Sequence, residues 1–98
     1  MTNPFEWDEN KRLANLKKHR IDFYDAILIF ECPHLNVPSD YKEEERWITI
    51  GELDGRMIMV VWTYRGWAKR IISARKLRTN DKRKYYDHYI ARSPSHQG

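Results

Sequence analysis

The stretch RWITIGELDGRMIMVVWTYRGWAKRIISA, residues 46–74, decides the fold. Residues 46–51 and 57–65 are dense in β-branched and aromatic side chains, the composition of strands. Asp54-Gly55 between them signals a hairpin, because both central positions of its tight turn need positive φ. Gly66 opens a second turn, and residues 70–74 make a third strand, so three antiparallel strands follow one another as a meander. Alternation puts Thr63 and Arg65 on one face with Val61, and Trp62 and Tyr64 on the other. A four-residue connection after Arg65 would set Arg65 opposite Arg70 and Thr63 opposite Ile72. Two facing guanidiniums are unfavourable unless an anion lies between them.

Upstream, residues 5–7 alternate apolar and polar and can form a short edge strand. Asp8 stands as an N-cap and Glu9 suits the first turn of a helix over residues 10–19, with Leu13 and Leu16 facing inward. Asp22 caps a second helix, whose Phe23, Ala26, Ile27 and Phe30 fall at i, i+3, i+4 and i+7 until Pro33 ends it. Residues 32–45, with two prolines and Glu43-Glu44-Glu45, read as a surface loop. Thr79 caps a last helix of about ten residues, apolar along Tyr85, Tyr86, Tyr89 and Ile90, with Lys82, Arg83 and Lys84 mostly on its other side. The layout is α+β in one domain, residues 1–98, with 93–98 a frayed tail: a short N-terminal strand, two helices, a three-stranded antiparallel meander and a C-terminal helix.

Composition bounds the function. The chain is 41% hydrophobic and 33% charged, as folded soluble chains are, and its longest apolar run, residues 57–62, is far short of a membrane span. The amino terminus is acidic, unlike a signal peptide. Cys32, alone, can form neither an internal disulfide nor a thiolate metal site, and reads as a partly buried thiol of a reducing cytoplasm. The net charge of +4 is unevenly spread: residues 1–50 carry 7 Lys/Arg against 10 Asp/Glu, residues 51–98 carry 11 against 4. A cationic face of that kind attracts a polyanion, either nucleic acid or an acidic protein partner.

Arg65, Arg70, Arg75 and Lys76 are candidates for one phosphate-binding surface, next to the start of the last helix. They also fit the solvated rim of a small sheet. Trp67 lies in a turn between Gly66 and Ala68, placed to stack on a base, whereas Trp62 belongs to packing. His19, His34, His88 and His96 show no metal-ligand spacing, and no carboxylate pair, glycine-rich phosphate loop or Ser/His/Asp set stands out. His19 suits the C-terminal dipole of its helix, or serves as a proton donor or acceptor beside phosphate.

Taken in order, two blocks resemble the BrnT family of bacterial type II toxins. The first is FEWDENKRLANLKKHRIDFYDAILIF, carrying Phe5, Trp7, Asp8, Lys11, Asn15, Lys18, His19, Ile21, Phe23, Ala26 and Phe30. The second carries Glu45-Arg46, Gly51, Thr63, Arg65 and Arg70-Ile71-Ile72-Ser73-Ala74-Arg75, and a basic helix with Tyr85 or Tyr86 follows. Arg20 stands where that family usually has Gly, at a cost of about 1 kcal/mol if the turn is left-handed. Asp81 stands where it usually has Glu.

The resemblance implies a RelE-like ribonuclease fold, cleavage of RNA that stops translation, no cofactor, and neutralisation by a BrnA-like antitoxin. Operator DNA enters only through the antitoxin complex, and a homodimer or a toxin–antitoxin heterotetramer is compatible with it. The expected roles follow from metal-free RNA cleavage, in which the 2′-hydroxyl attacks the phosphate. Arg65 and Arg75 stabilise the charge that develops, Arg70 and Lys76 hold the flanking backbone with Thr63 and Trp67, and His19 moves the proton, with Lys18 or Tyr86 behind it. The alternative is a binding module without nuclease activity that docks its antitoxin and takes part in operator DNA regulation.

Overall fold

The computed structural model describes residues 4–92, with side chains through Tyr85. Its elements are β1 (Phe5–Glu6), α1 (Glu9–His19), α2 (Phe23–Ala26), a 3-10 helix (Ile27–Glu31), β2 (His34–Pro38), β3 (Arg46–Leu53), β4 (Arg56–Arg65), β5 (Ala68–Lys76) and α3 (Thr79–Arg92). One five-stranded sheet runs β1-β5-β4-β3-β2, with β1 parallel to β5 and every other pair antiparallel. The α+β class and the meander stand as expected. The Asp54-Gly55 turn has both residues at positive φ, 52° and 80°.

The loop expected over residues 32–45 instead contributes an edge strand. In β2 only Leu35 and Val37 face inward, so its alternation is two residues long, and Pro38 ends it where an edge tolerates a missing N–H. The expected second helix breaks after one turn. Phe23, Ala26 and Ile29 are the buried positions, a spacing of three that a 3-10 segment satisfies, whereas Ile27 and Phe30 are only partly buried. Gly51 makes this possible: a Cβ there would lie 3.0 Å from Ile29 Cβ. Cys32 is exposed, contrary to expectation, because the chain turns outward there to enter β2.

The sheet has a core on each face. Ile21, Phe23, Ala26 and Ile29 pack on Ile58, Val60, Trp62, Ile71 and Ala74. On the reverse face Tyr85 of α3 joins Leu35, Val37, Ile48, Ile50 and Met59. Trp62 is buried, and its indole N–H donates to Thr49 Oγ1 at 2.7 Å.

Asp8 caps α1, its carboxylate accepting from the N–H of Asn10 at 2.8 Å. Leu13, expected inside, is 50% exposed; the inward row is Arg12, Asn15, Leu16 and His19, an i, i+3, i+4, i+7 set that hydropathy conceals. Thr79 is the first helical residue of α3 rather than its cap, because Asp81 reaches back to accept the Arg78 N–H at 2.9 Å. Arg20 closes α1 in the left-handed conformation, at φ 61°, its N–H bonding Leu16 O. Arg20→Gly is therefore expected to stabilise the fold by roughly 0.5–1 kcal/mol, raising the melting temperature by several degrees in a thermal unfolding scan.

Candidate functional site

Arg75, near the end of β5, is clamped by Asp81 on the first turn of α3. Its Nη1 lies 2.7 Å from Asp81 Oδ2 and its Nη2 3.2 Å from Oδ1, a two-point fork. Nη1 also donates to Lys76 O at 3.2 Å. The Arg75 guanidinium, with help from the Arg78 N–H, holds the Asp81 carboxyl below its ordinary range. Aspartate suffices here although its side chain is one methylene shorter than glutamate's.

His19, in the last turn of α1, is half-buried and belongs to the same neighbourhood. Burial lowers its pKa, and the charges of Lys18, Arg75 and Arg78 lower it further. The shift favours the neutral imidazole, whose lone pair can take a proton. Arg78 was not among the sequence candidates, and the basic run before α3 was its only signal.

Residues opposite one another in a ladder share a face. Met59 faces Arg75 and Thr63 faces Arg70, so Thr63, Arg65, Arg70 and Arg75 all lie on the face that α3 packs against. Five residues separate Arg70 from Arg75, an odd number that in a regular strand would put them on opposite faces. A bulge prevents this: Trp62 faces Ile71 and Val61 faces Ser73, leaving Ile72 without an opposite residue.

The expected pairings of Arg65 with Arg70 and of Thr63 with Ile72 do not occur. The connection is a two-residue turn, Gly66-Trp67, with Gly66 at φ 61°, so Arg65 faces Ala68 and Thr63 faces Arg70. Nor do Arg65 and Arg75 meet on one phosphate. Six residues of β4 separate Arg65 from the partner of Arg75, about 20 Å along the sheet at 3.3 Å per residue.

At the Arg65 end, Arg70 pairs with Glu6 at 2.7 Å, a partly exposed contact worth at most about 1 kcal/mol and free to exchange for phosphate. Thr63 Oγ1 donates to Glu45 O at 2.6 Å. Trp67 stands 86% exposed at the turn. Lys69, absent from the sequence candidates, lies over the rings of Trp62 and Tyr64. Lys18 and Lys76 are exposed. Tyr86 is on α3, but its side chain lies outside the described residues, as do His88 and His96. Among the described residues no group of three His, Cys, Asp or Glu could hold a metal ion, and no helix is long and apolar enough to cross a membrane.

Fold and cluster together define a class: a small basic α+β domain that holds a forked guanidinium at the β5–α3 junction and a half-buried imidazole at the end of the helix packed on β5. Residues 7–81 match the sequence model of the family described as "Ribonuclease toxin, BrnT, of type II toxin-antitoxin system". The crystal structure of the Brucella abortus ribonuclease toxin BrnT is similar at a TM-score of 0.63 and 32% identity, covering 80% of this chain and 100% of that one. No curated protein matches. The chain belongs to the BrnT family of ribonuclease toxins of type II toxin–antitoxin systems. The matched span includes His19, Arg65, Arg75 and Asp81, and stops short of Tyr86.

Proposed function

We propose that the chain is a metal-independent endoribonuclease whose cutting centre is the junction of α1, β5 and α3, and that it arrests translation in the cytoplasm until a BrnA-like antitoxin covers it. The observation that carries this reading is the Arg75–Asp81 fork at the end of β5, the strand to which α1, the helix carrying the half-buried His19, is tied through Asn15. Neutral imidazole accepts the proton of the attacking 2′-hydroxyl, and the fixed guanidinium meets the negative charge growing on the phosphate oxygens. Arginine, protonated at all working pH, cannot itself shuttle the proton.

Arg65, Arg70, Thr63 and Trp67 then grip the same strand several nucleotides away, with Lys18 and Lys76 adding charge nearer the junction. In this arrangement Arg65 binds RNA and Arg75 acts on the scissile phosphate. The antitoxin, an acidic segment of which suits the same face, joins it in a heterotetramer that reaches operator DNA. The motive for an inactive binding module weakens, since Asp81 holds Arg75 in spite of its shorter side chain.

The test is total RNA incubated with the purified chain in excess chelator. Shortened RNA is expected, with or without the chelator. Fragments that vanish when chelator is added would reject the metal-independent chemistry, and intact RNA in both samples would reject autonomous cleavage.

A further inference from the structure

We propose that Asn15 is a positioning residue, whose buried carboxamide locks the β5 segment presenting Arg75 against the α1 turn carrying His19. This rests on the reading that those two residues carry the cleavage. An asparagine is a poor choice inside a helix, because its side chain competes for backbone bonds. Here it occupies the centre of the inward row of α1 and is only 7% exposed. An apolar residue would serve a core better unless the amide has partners that matter.

It has three. Asn15 Nδ2 donates to Ala74 O at 2.8 Å and to Ile21 O at 3.0 Å, while Oδ1 accepts the Ala74 N–H at 3.1 Å. Bonding both polar groups of one residue is what a neighbouring strand does. β1 pairs with β5 only at Lys69 and Arg70, so at Ala74 the amide stands in for the strand that is missing. Backbone groups alternate in direction along a strand, so those of Arg75 turn the other way, to β4 opposite Met59. The peptide at Arg75 is thus held from both sides.

The bond to Ile21 O ties down the opposite partner. It fixes the chain just past the left-handed Arg20, which follows His19 directly. His19 also lies one helical turn after Asn15 on the same row. One amide therefore sets the spacing between the proton acceptor and the guanidinium. A displacement of about 1 Å between reacting groups can cost 10²-fold in rate, which gives this lock its leverage.

The experiment compares wild type, Asn15→Leu, Asn15→Asp and Arg75→Ala, each confirmed folded by circular dichroism at the assay temperature. Cleavage of a short single-stranded RNA gives kcat and KM, and the NMR titration of His19 reads the spacing without activity. Asn15→Leu fills the space without the bonds. It should lose about 10- to 100-fold in kcat with KM little changed, and its His19 midpoint should rise as the imidazole moves from Arg75 and Arg78. Asn15→Asp covers the event that the leucine variant does not fold. Its carboxyl regains an O–H donor when protonated, so its rate relative to wild type should recover as pH falls.

A folded Asn15→Leu with wild-type kcat and an unmoved His19 midpoint would overturn the positioning role. So would an Asn15→Asp rate that keeps a constant ratio to wild type at every pH. If instead folded Arg75→Ala cleaves like wild type, the reading of the site itself fails, and the His19 midpoint in Asn15→Leu still decides whether the amide sets the spacing.

Discussion

Arg75→Ala is expected to lower RNA cleavage by 10²–10³-fold, the loss that follows removal of one preorganised donor to a developing oxyanion, about 3–4 kcal/mol. The fold should survive. The Arg75 side chain is partly exposed, and Asp81 keeps the Arg78 N–H as a partner when the guanidinium is removed. Asp81 would lose the main cause of its depressed pKa and titrate closer to an ordinary aspartate. Arg75→Lys keeps the charge and loses the two-point fork, so its rate should fall between wild type and alanine. Steady-state cleavage beside a circular dichroism spectrum checks the set, and a folded alanine variant at wild-type rate would move the cutting centre elsewhere.

His19→Gln is expected to cost 10²–10⁴-fold in kcat, the usual worth of a positioned general base. The pH dependence gives a second signature. The folded pKa of His19 lies below the ordinary 6.5, through burial first and then through Lys18, Arg75 and Arg78. Wild-type cleavage should therefore hold through neutrality and decline on an acid limb whose midpoint is below 6.5. Stability moves with the same sign. Above 6.5 the histidine is neutral in both states; as pH falls below it the unfolded chain takes up the proton first and the fold weakens. Asp81 acts likewise at lower pH, since its lowered folded pKa gives stability that is present above 3.8 and lost as acid protonates it. His19→Gln should lose the acid limb and resist mild acid better than wild type, as denaturant titrations at several pH values would show. A variant that keeps the limb would transfer the proton step to another residue.

The features legible in the sequence are those that local chemistry dictates. Asp8 and Asp22 cap because an oxygen near free N–H groups is decided within three residues, and Asp54-Gly55 turns because few dipeptides accept two positive φ angles. Trp62 was readable as core and Trp67 as exposed for similar reasons. What escaped depends on partners far along the chain. β2 has only two inward residues and is made a strand by pairing with β3. Leu13 looks like core, yet Asn15 and His19 take the inward row because β5 needs the amide. The candidate arginines were visible singly, but their spacing was not, since a two-residue turn and a bulge set the register. Arg78 acquires meaning only through partners the sequence does not show, Asp81 and His19.

The unpaired Ile72 has one more consequence. Parity along β5 makes the sheet count residues, and the bulge is where the count is reset. Every cation beyond it owes its side of the sheet to one extra residue, not to its own identity. A conservative change at Ile72 therefore leaves the arginines in place, whereas a change in the length of the strand does not. Losing a single residue there would send the guanidinium at position 75 to the opposite face, away from α3 and Asp81, with every functional side chain still present in the sequence.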